Sequence, residues 1–398
     1  MNRKEILLIS LFFVLFLPSS FFAAGQPHYA QVLKDLESKN PMLLAAARQA
    51  EAGRAEAHVG ALIEDPQVEA AFFAGDPASN GVRWDLRVSQ SFEMPSVLAR
   101  KSRLRDLQAA AADIDYRQFR YALLLETQQL CADLIYYRNL ARIYDRRCTA
   151  AIRLSLLYRQ RYEVGDCSIL EYNQAQMNLA DVQNKAALAN LAEDQAVRDL
   201  CKLMNEEGYV FAQMDYDSVW VEADFDGWYA RLEMRNPELQ QLDNQAAVGR
   251  QQERLSRASW LPEVELGYAS ENVVGGTWRG ATVGLSLPIW SQQRAVRSAK
   301  LRHQASQEAL AARRTELYSE ARCMFHRHEA LIRNLHNLKT AFRQSNSTEL
   351  IGKALEAGEI GLEEYLRQTG YYNEIEIEIW ETARELEQLH LLLYSVEL

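Results

Sequence analysis

The sequence predicts a mainly α-helical fold with a small β part, in which a long helical hairpin and a pair of short strands occur twice. The first observation is an internal repeat. Asn40-Pro41 recurs as Asn236-Pro237, 196 residues later. The correspondence continues to Gly165 and Gly358, which are 193 residues apart because about three residues are lost between the strands. The second is a stretch from Ser96 to Tyr162 without Pro or Gly. A repeat of this length indicates a duplicated half-molecule, because solenoid units have about 20–50 residues.

The N-terminus has the organisation of a secretory signal. Arg3 and Lys4 precede an apolar run from Ile6 to Leu17, and Ala23-Ala24-Gly25 supplies small residues. We expect cleavage before Gln26. The alternative is a transmembrane anchor, but the apolar run is shorter than the ~20 residues of a spanning helix. The predicted organisation is a signal peptide at 1–25, a first structural repeat at 26–220 and a second at 221–398.

Composition excludes several classes of protein. The formal charge is −10, and it becomes −11 once the first 25 residues, with a net charge of +1, are removed. A nucleic-acid partner is therefore not expected. After the signal, no run of ~18 uncharged apolar residues follows, so we expect any membrane contact to be made by strands of an outer-membrane type barrel. No Gly-rich phosphate loop, HExxH or GxSxG occurs, which disfavours an enzyme or a cofactor.

The five cysteines form no CxxC pair, so neither a zinc site nor a dense disulfide framework is indicated. Cys131 and Cys201 each lie 35 residues from Asp166. A chain that folds back at Asp166 would bring them level on adjacent helices, but a bridge needs Cα atoms within ~7 Å. Whether they are bridged stays open.

Both long helices carry apolar and small residues at alternating steps of three and four, the spacing of a coiled-coil seam. The first seam comprises Leu123, Thr127, Leu130, Leu134, Tyr137, Ala141 and Tyr144, and the second Leu317, Ala321, Met324, His328, Leu331, Leu335, Leu338 and Phe342. His328 falls on the second seam, whereas His326 does not share its face. We therefore expect Cys323, His326 and His328 to be packed or exposed rather than metal ligands.

Each copy contains one strand pair, in which apolar and polar residues alternate. The predicted lipid-facing strand residues are Trp84, Leu86, Val88, Val264, Leu266, Tyr268, Val283 and Leu285. A small soluble sheet capping the helices is the alternative. Four strands are too few to close a barrel in lipid, since known bacterial barrels start at ~8. Eight would be filled by side chains and twelve leave a passage, so a trimer is the smallest assembly that conducts.

Three kinds of segment resemble the TolC-like outer membrane efflux family, and together they cover nearly all of the mature chain. They are the Asn-Pro helix starts, the strand-to-helix segments 88–95 and 283–290, and the turn segments 161–166 and 354–359. The patterns Gln90 to Pro95 and Leu287 to Trp290 most resemble the branch that serves heavy-metal cation pumps, as in CzcC and CusC.

The resemblance implies a homotrimer in the outer membrane, with a shared twelve-stranded β-barrel continued by an α-barrel through the periplasm. It implies a passive exit duct for heavy-metal cations or drugs, fed by a periplasmic adaptor protein and an inner-membrane pump, with no cofactor. The implied adaptor-docking tips are Val164, Gly165, Asp166, Ala357, Gly358 and Glu359.

The family narrows its tunnel with acidic residues near these tips. Here the implied constriction residues are Glu171 and Glu364, each six positions after a turn glycine. In TolC a second acidic residue follows three places later, where this chain has Gln174 and Arg367, which puts a doubled acidic ring in doubt. Two solvated helix glutamates are the alternative.

Two other classes compete with a duct. A periplasmic adaptor also has a long helical hairpin, but it normally has one hairpin flanked by β-rich modules, whereas this sequence predicts two hairpins. A soluble coiled-coil scaffold would explain the seams and leave the alternating strands with Trp84 and Tyr268 unexplained.

Overall fold

The computed structural model describes residues 27–59, 63–75, 81–217, 219, 222, 224–273, 275–287, 292–345 and 348–395. The predicted signal segment and Pro288, Ile289 and Trp290 lie outside these ranges. In chain order, the elements of the described ranges are α1 (Pro27–Lys39), α2 (Pro41–Ala57), β1 (Gln67–Ala74), β2 (Val82–Phe92), α3 (Pro95–Glu163), α4 (Ile169–Met204), α5 (Phe225–Arg235), α6 (Pro237–Ala258), β3 (Glu263–Val273), β4 (Gly276–Ser286), α7 (Gln292–Ser345), α8 (Thr348–Glu356) and α9 (Leu362–Tyr394). The predicted fold class, mainly α with a small β part, is confirmed.

The helices α2 and α6 begin in the same way, because each follows an Asn-Pro pair. The side chain of Asn40 accepts a hydrogen bond from the Leu43 backbone N–H, and that of Asn236 accepts one from Leu239, both at 3.0 Å. These bonds satisfy N–H groups that have no partner inside the helix, and a proline at the first helical position loses nothing. The division into repeats at residue 220 stays a prediction.

The long helices form a layer with α3 at its centre. With its 69 residues, α3 is about 100 Å long. Along one side it packs first against α2 and then against α4, and along the other first against α6 and then against α9. Both α6 and α9 pack in turn against α7. The outer members of the layer are therefore α2 with α4 on one side and α7 on the other.

The strands form one antiparallel sheet in the order β1-β2-β3-β4. Residues paired directly across antiparallel strands share a face. Val88 pairs with Val68 and Tyr268, and Leu266 pairs with Val283. By this register, all eight residues predicted to face lipid lie on one face of the sheet. The opposite face carries the charged side chains Glu69, Arg83, Asp85, Arg87, Glu265 and Glu271.

A connector, residues 205–217, follows α4 and crosses α3. Asn139 on α3 donates to the Met214 carbonyl at 2.7 Å, and the Tyr216 hydroxyl donates to the Ala132 carbonyl at 2.8 Å. Arg138 adds a bond to the Gln213 carbonyl at 3.3 Å. Because these side-chain bonds hold it, this extended segment lies fixed across the helix layer.

The structure answers whether Cys131 and Cys201 are bridged. Cys131 and Cys201 are both free thiols. Burial raises the pKa of Cys131 to about 12, so its thiol is protonated.

The first arm of the second hairpin consists of two described helices, α7 and α8, where the first hairpin has the single helix α3.

A pair of buried histidines joins α7 to α9. The Nε2 atom of His328 lies 3.2 Å from Nδ1 of His390, and the rings stack with centroids 5.3 Å apart. One nitrogen of this bond must accept, so the rings cannot both be protonated. Burial lowers the pKa of each ring to about 4, with a further contribution to His390 from His328, while Glu329 acts on His328 in the opposite direction. The seam position of His328 was predicted, whereas its partner was not.

This histidine pair predicts a loss of stability in acid. The ordinary pKa is 6.5 and the folded value about 4, so between these values the unfolded chain binds more protons than the folded one. The free energy of unfolding should therefore fall as pH falls through this window. We expect His328→Phe with His390→Phe to flatten the dependence of the thermal midpoint on pH.

The matched control is His326→Phe, since His326 lies on α7 with an exposed side chain. It should keep the wild-type slope. An unchanged slope in the double variant would contradict the assignment.

Candidate functional site

The first hairpin turn ends α3 with a left-handed glycine. Gly165 has φ of +78°. Its N–H donates to the Tyr162 carbonyl at 3.1 Å, and the N–H of Asp166 donates to the Arg161 carbonyl at 2.8 Å. This pair of bonds is the Schellman motif, which satisfies the last carbonyls of a helix.

The second turn repeats this arrangement. Gly358 has φ of +76°, its N–H donates to Leu355 at 3.1 Å, and the N–H of Glu359 donates to Ala354 at 2.9 Å. At Gly165 and Gly358 an added Cβ would meet no atom within 4 Å. Glycine is therefore favoured at both turns by the backbone angle, and the surrounding space is open.

The two turns belong to one end of the molecule. An apolar cluster joins Leu154, Tyr158 and Ala175 of the first hairpin to Leu355 and Leu362 of the second. Beyond this cluster the turn residues are exposed, and Val164 retains 79% of its accessible surface. The structure therefore brings the six predicted tip residues to the same end; their docking role stays a prediction.

Glu171 is tied to the start of α4. Its carboxylate accepts from the Ser168 backbone N–H and hydroxyl, each at 2.9 Å, while the Ser168 hydroxyl accepts from the Glu171 N–H at 3.2 Å. This reciprocal pair is a capping box. The bond from the Ser168 backbone is the main cause of the lowered pKa of Glu171, so this carboxylate is charged at neutral pH.

Glu364 has a different environment. Arg367, one turn later on α9, donates from Nη2 to Oε1 at 2.6 Å and from Nε to Oε2 at 3.0 Å. Gln368 donates to the same carboxylate. Arg367 is the first cause of the lowered pKa of Glu364, so the carboxylate is charged but neutralised by its neighbour. The two predicted constriction residues are therefore not equivalent, and their place in a constriction stays a prediction.

The helix α4 has a second apolar face that the sequence reasoning missed. Its inner face is buried against α3 through Ala175, Val182, Ala186, Ala189 and Ala196. On the opposite face Leu170, Met177, Leu188 and Leu191 retain 75%, 72%, 58% and 59% of their accessible surface. We call these four residues the outer stripe of α4. The helical spacing of these four residues was visible in the sequence, but the sequence did not indicate that this face would be exposed.

The described ranges lack two structural features. None of the helices described combines the length and the apolar character that a membrane span requires. In the same ranges, no three His, Cys, Asp or Glu side chains converge as a set of metal ligands.

Comparison with known proteins gives a family match for part of the chain and a shared fold for most of it. Residues 228–385 match the model of the family described as outer membrane efflux protein. No curated protein shows significant sequence similarity to the chain.

Solved structures resemble almost the whole chain. The Campylobacter jejuni outer membrane channel CmeC matches with a TM-score of 0.76 and 15% identity over 93% of this chain and 86% of that one. The Neisseria gonorrhoeae outer membrane channel MtrE matches at 0.73 and 13% over 93% and 89%. CusC matches at 0.75 and 12% over 92% and 91%. These scores do not favour CusC over the others, so the heavy-metal branch stays a prediction. The chain has the fold of the TolC-like outer membrane channels, and its residues 228–385 match the outer membrane efflux protein family.

Proposed function

We propose that this chain is the outer membrane exit duct of an efflux system, and that three copies form one duct. The duct is passive and carries out no catalysis. A periplasmic adaptor protein docks at the exposed tips, and an inner-membrane pump supplies the energy. The cargo is a heavy-metal cation or a drug, selected by the pump.

The observation that carries this proposal is the form of the sheet. One face is mainly apolar, with Val283 and Leu285 retaining 72% and 66% of their accessible surface, although Arg279 also lies on it. The other face carries the six charged residues named above. Within the described ranges, β1 pairs only with β2 and β4 only with β3. Such a sheet satisfies its edge groups in lipid only if β4 of one copy pairs with β1 of the next. Three copies supply twelve strands, enough to enclose a passage.

The helix layer supports the same closure. Its outer members are α4 on one side and α7 on the other, and the outer stripe of α4 has no apolar cover from described residues of its own chain. Burial of apolar surface gains roughly 25 cal/mol per Å², so the stripe favours contact with a neighbouring copy. In this arrangement the outer stripe of α4 packs against the α7 side of the next copy.

The first prediction concerns assembly. Met177→Glu with Leu191→Glu places two charges on the outer stripe, and we expect the loss of a heat-labile trimer from the outer-membrane fraction on a gel. Gln183→Glu with Asn190→Glu is the matched control, because these exposed positions on α4 lie outside the stripe. A wild-type chain that extracts as a soluble monomer would contradict the duct itself.

The second prediction concerns the tips. Gly165→Trp with Gly358→Trp should leave trimer assembly intact but abolish export, measured as loss of cellular resistance, because bulky side chains project where the adaptor docks. Gly165→Asn with Gly358→Asn is the control, since Asn tolerates the left-handed backbone and is small. Unaltered resistance in the Trp variant would refute the docking role.

The third prediction concerns cation block in planar bilayers. Glu171→Gln with Glu364→Gln should weaken block by divalent cations, because carboxylates at a narrow opening attract cations. Arg367→Gln should strengthen block, because it releases the Glu364 carboxylate from its partner. Ser168→Ala is the control, because it weakens the capping box but keeps the Glu171 carboxylate. It should leave block by divalent cations as in the wild type. Identical single-channel records for all variants would exclude a constriction at these residues.

A further inference from the structure

A groove lies between α7 and α9 where the connector crosses the helix layer. It encloses about 460 Å³ and is lined by residues of α7, α9 and the connector. This volume falls in the range of about 300–1,000 Å³ that small-molecule sites occupy.

The walls of the groove are apolar and aromatic. Ile379, Ala383 and Leu386 are buried side chains of α9 that line it. Tyr216 and Trp380 stand beside them, with ring centroids 6.1 Å apart and a tilt of 49°. A flat apolar body would find both contact area and ring partners here.

The cations of the groove come from α7. His336, Lys339 and Arg343 lie on one face of that helix and line the groove. Within the described ranges, neither Lys339 nor Arg343 has an ion pair within 4.0 Å. Desolvation is the first cause of the lowered pKa of Lys339, and Arg343 adds to it, while Asp215 acts in the opposite direction. Two neighbouring cations therefore repel one another at the edge of an apolar groove.

Within the described ranges, no carboxylate that lines the groove forms an ion pair with Lys339 or Arg343, although the charge of Asp215 acts on Lys339. Glu376 accepts a bond from Arg146 on α3 at 2.6 Å, and Glu387 accepts one from the Tyr29 hydroxyl at 3.0 Å. Asp215 and Asp217 belong to the connector and also line the groove. The groove thus has basic side chains on α7 and acidic side chains on the connector.

We infer that this groove binds a small organic anion with a single carboxylate and an aromatic body. The carboxylate lies against Lys339 and Arg343, whose repulsion it relieves, and the aromatic body packs on Trp380 and the apolar wall. The carboxylates of the connector disfavour a second anionic group. None of the six tip residues lines this groove.

The test is isothermal titration calorimetry on the purified full-length protein in detergent, with 1-naphthoate as the probe. We expect saturable binding that weakens at least about tenfold in Lys339→Gln with Arg343→Gln, because bonds to charged groups contribute on the order of 1.5–3 kcal/mol. The neutral isostere 1-naphthylmethanol should bind the wild type as weakly as naphthoate binds this variant.

Lys300→Gln with Arg302→Gln is the matched control, since these residues are also an exposed Lys and Arg on α7 and do not line the groove. It should bind naphthoate as the wild type does. Trp380→Leu keeps the charges and should also weaken binding. Equal affinity for naphthoate and its alcohol, or no change in the Lys339 and Arg343 variant, would overturn the inference, and neither result depends on whether the chain exports anything.

Discussion

The unpaired edges of the four-stranded sheet are the constraint on which the proposed assembly depends. Each backbone N–H and C=O in a bilayer must find a partner inside the protein, because lipid offers none. The described sheet ends at β1 and β4, each with one neighbouring strand. In the proposed assembly a single chain cannot satisfy these edges in lipid, and other copies supply the missing strands. The apolar and charged faces then become the outside and inside of a closed barrel.

The helices extend the same arrangement away from the sheet. Their layer has α3 at its centre and two free sides, and the turn glycines reverse both hairpins at one end. The connector is held across the layer by bonds from Asn139 and Tyr216. A narrow, elongated layer of this kind buries little surface by itself. The outer stripe of α4 exposes four large apolar side chains along one helix, and it lies on a free side.

Local sequence signals predicted a large part of this structure. The Asn-Pro starts, the glycine turns and the seams each rest on one segment, and the structure shows all of them. The alternation of Trp84, Leu86 and Val88 placed these side chains on one face because a strand has a period of two. The seam spacing likewise placed His328 on the second seam, and the structure shows its side chain buried.

The remaining features depend on residues that are distant in sequence. His390 pairs with His328 across 62 residues, and Tyr29 bonds Glu387 across 358. No local period indicates such partners. The spacing of three residues allows Arg367 to pair with Glu364. Whether the Glu364 carboxylate binds Arg367 or is free to bind a cation is visible only in the side-chain geometry. The groove beside Trp380 needs three elements at once, so no single segment indicates it.

Imaging of single particles of the purified protein by electron cryomicroscopy tests the closure of the sheet most directly. Our account predicts three copies around a central passage, with β4 of each copy hydrogen-bonded to β1 of the next in a barrel of twelve strands. A particle with one copy, or with the β1 and β4 edges left without a strand partner, would contradict it.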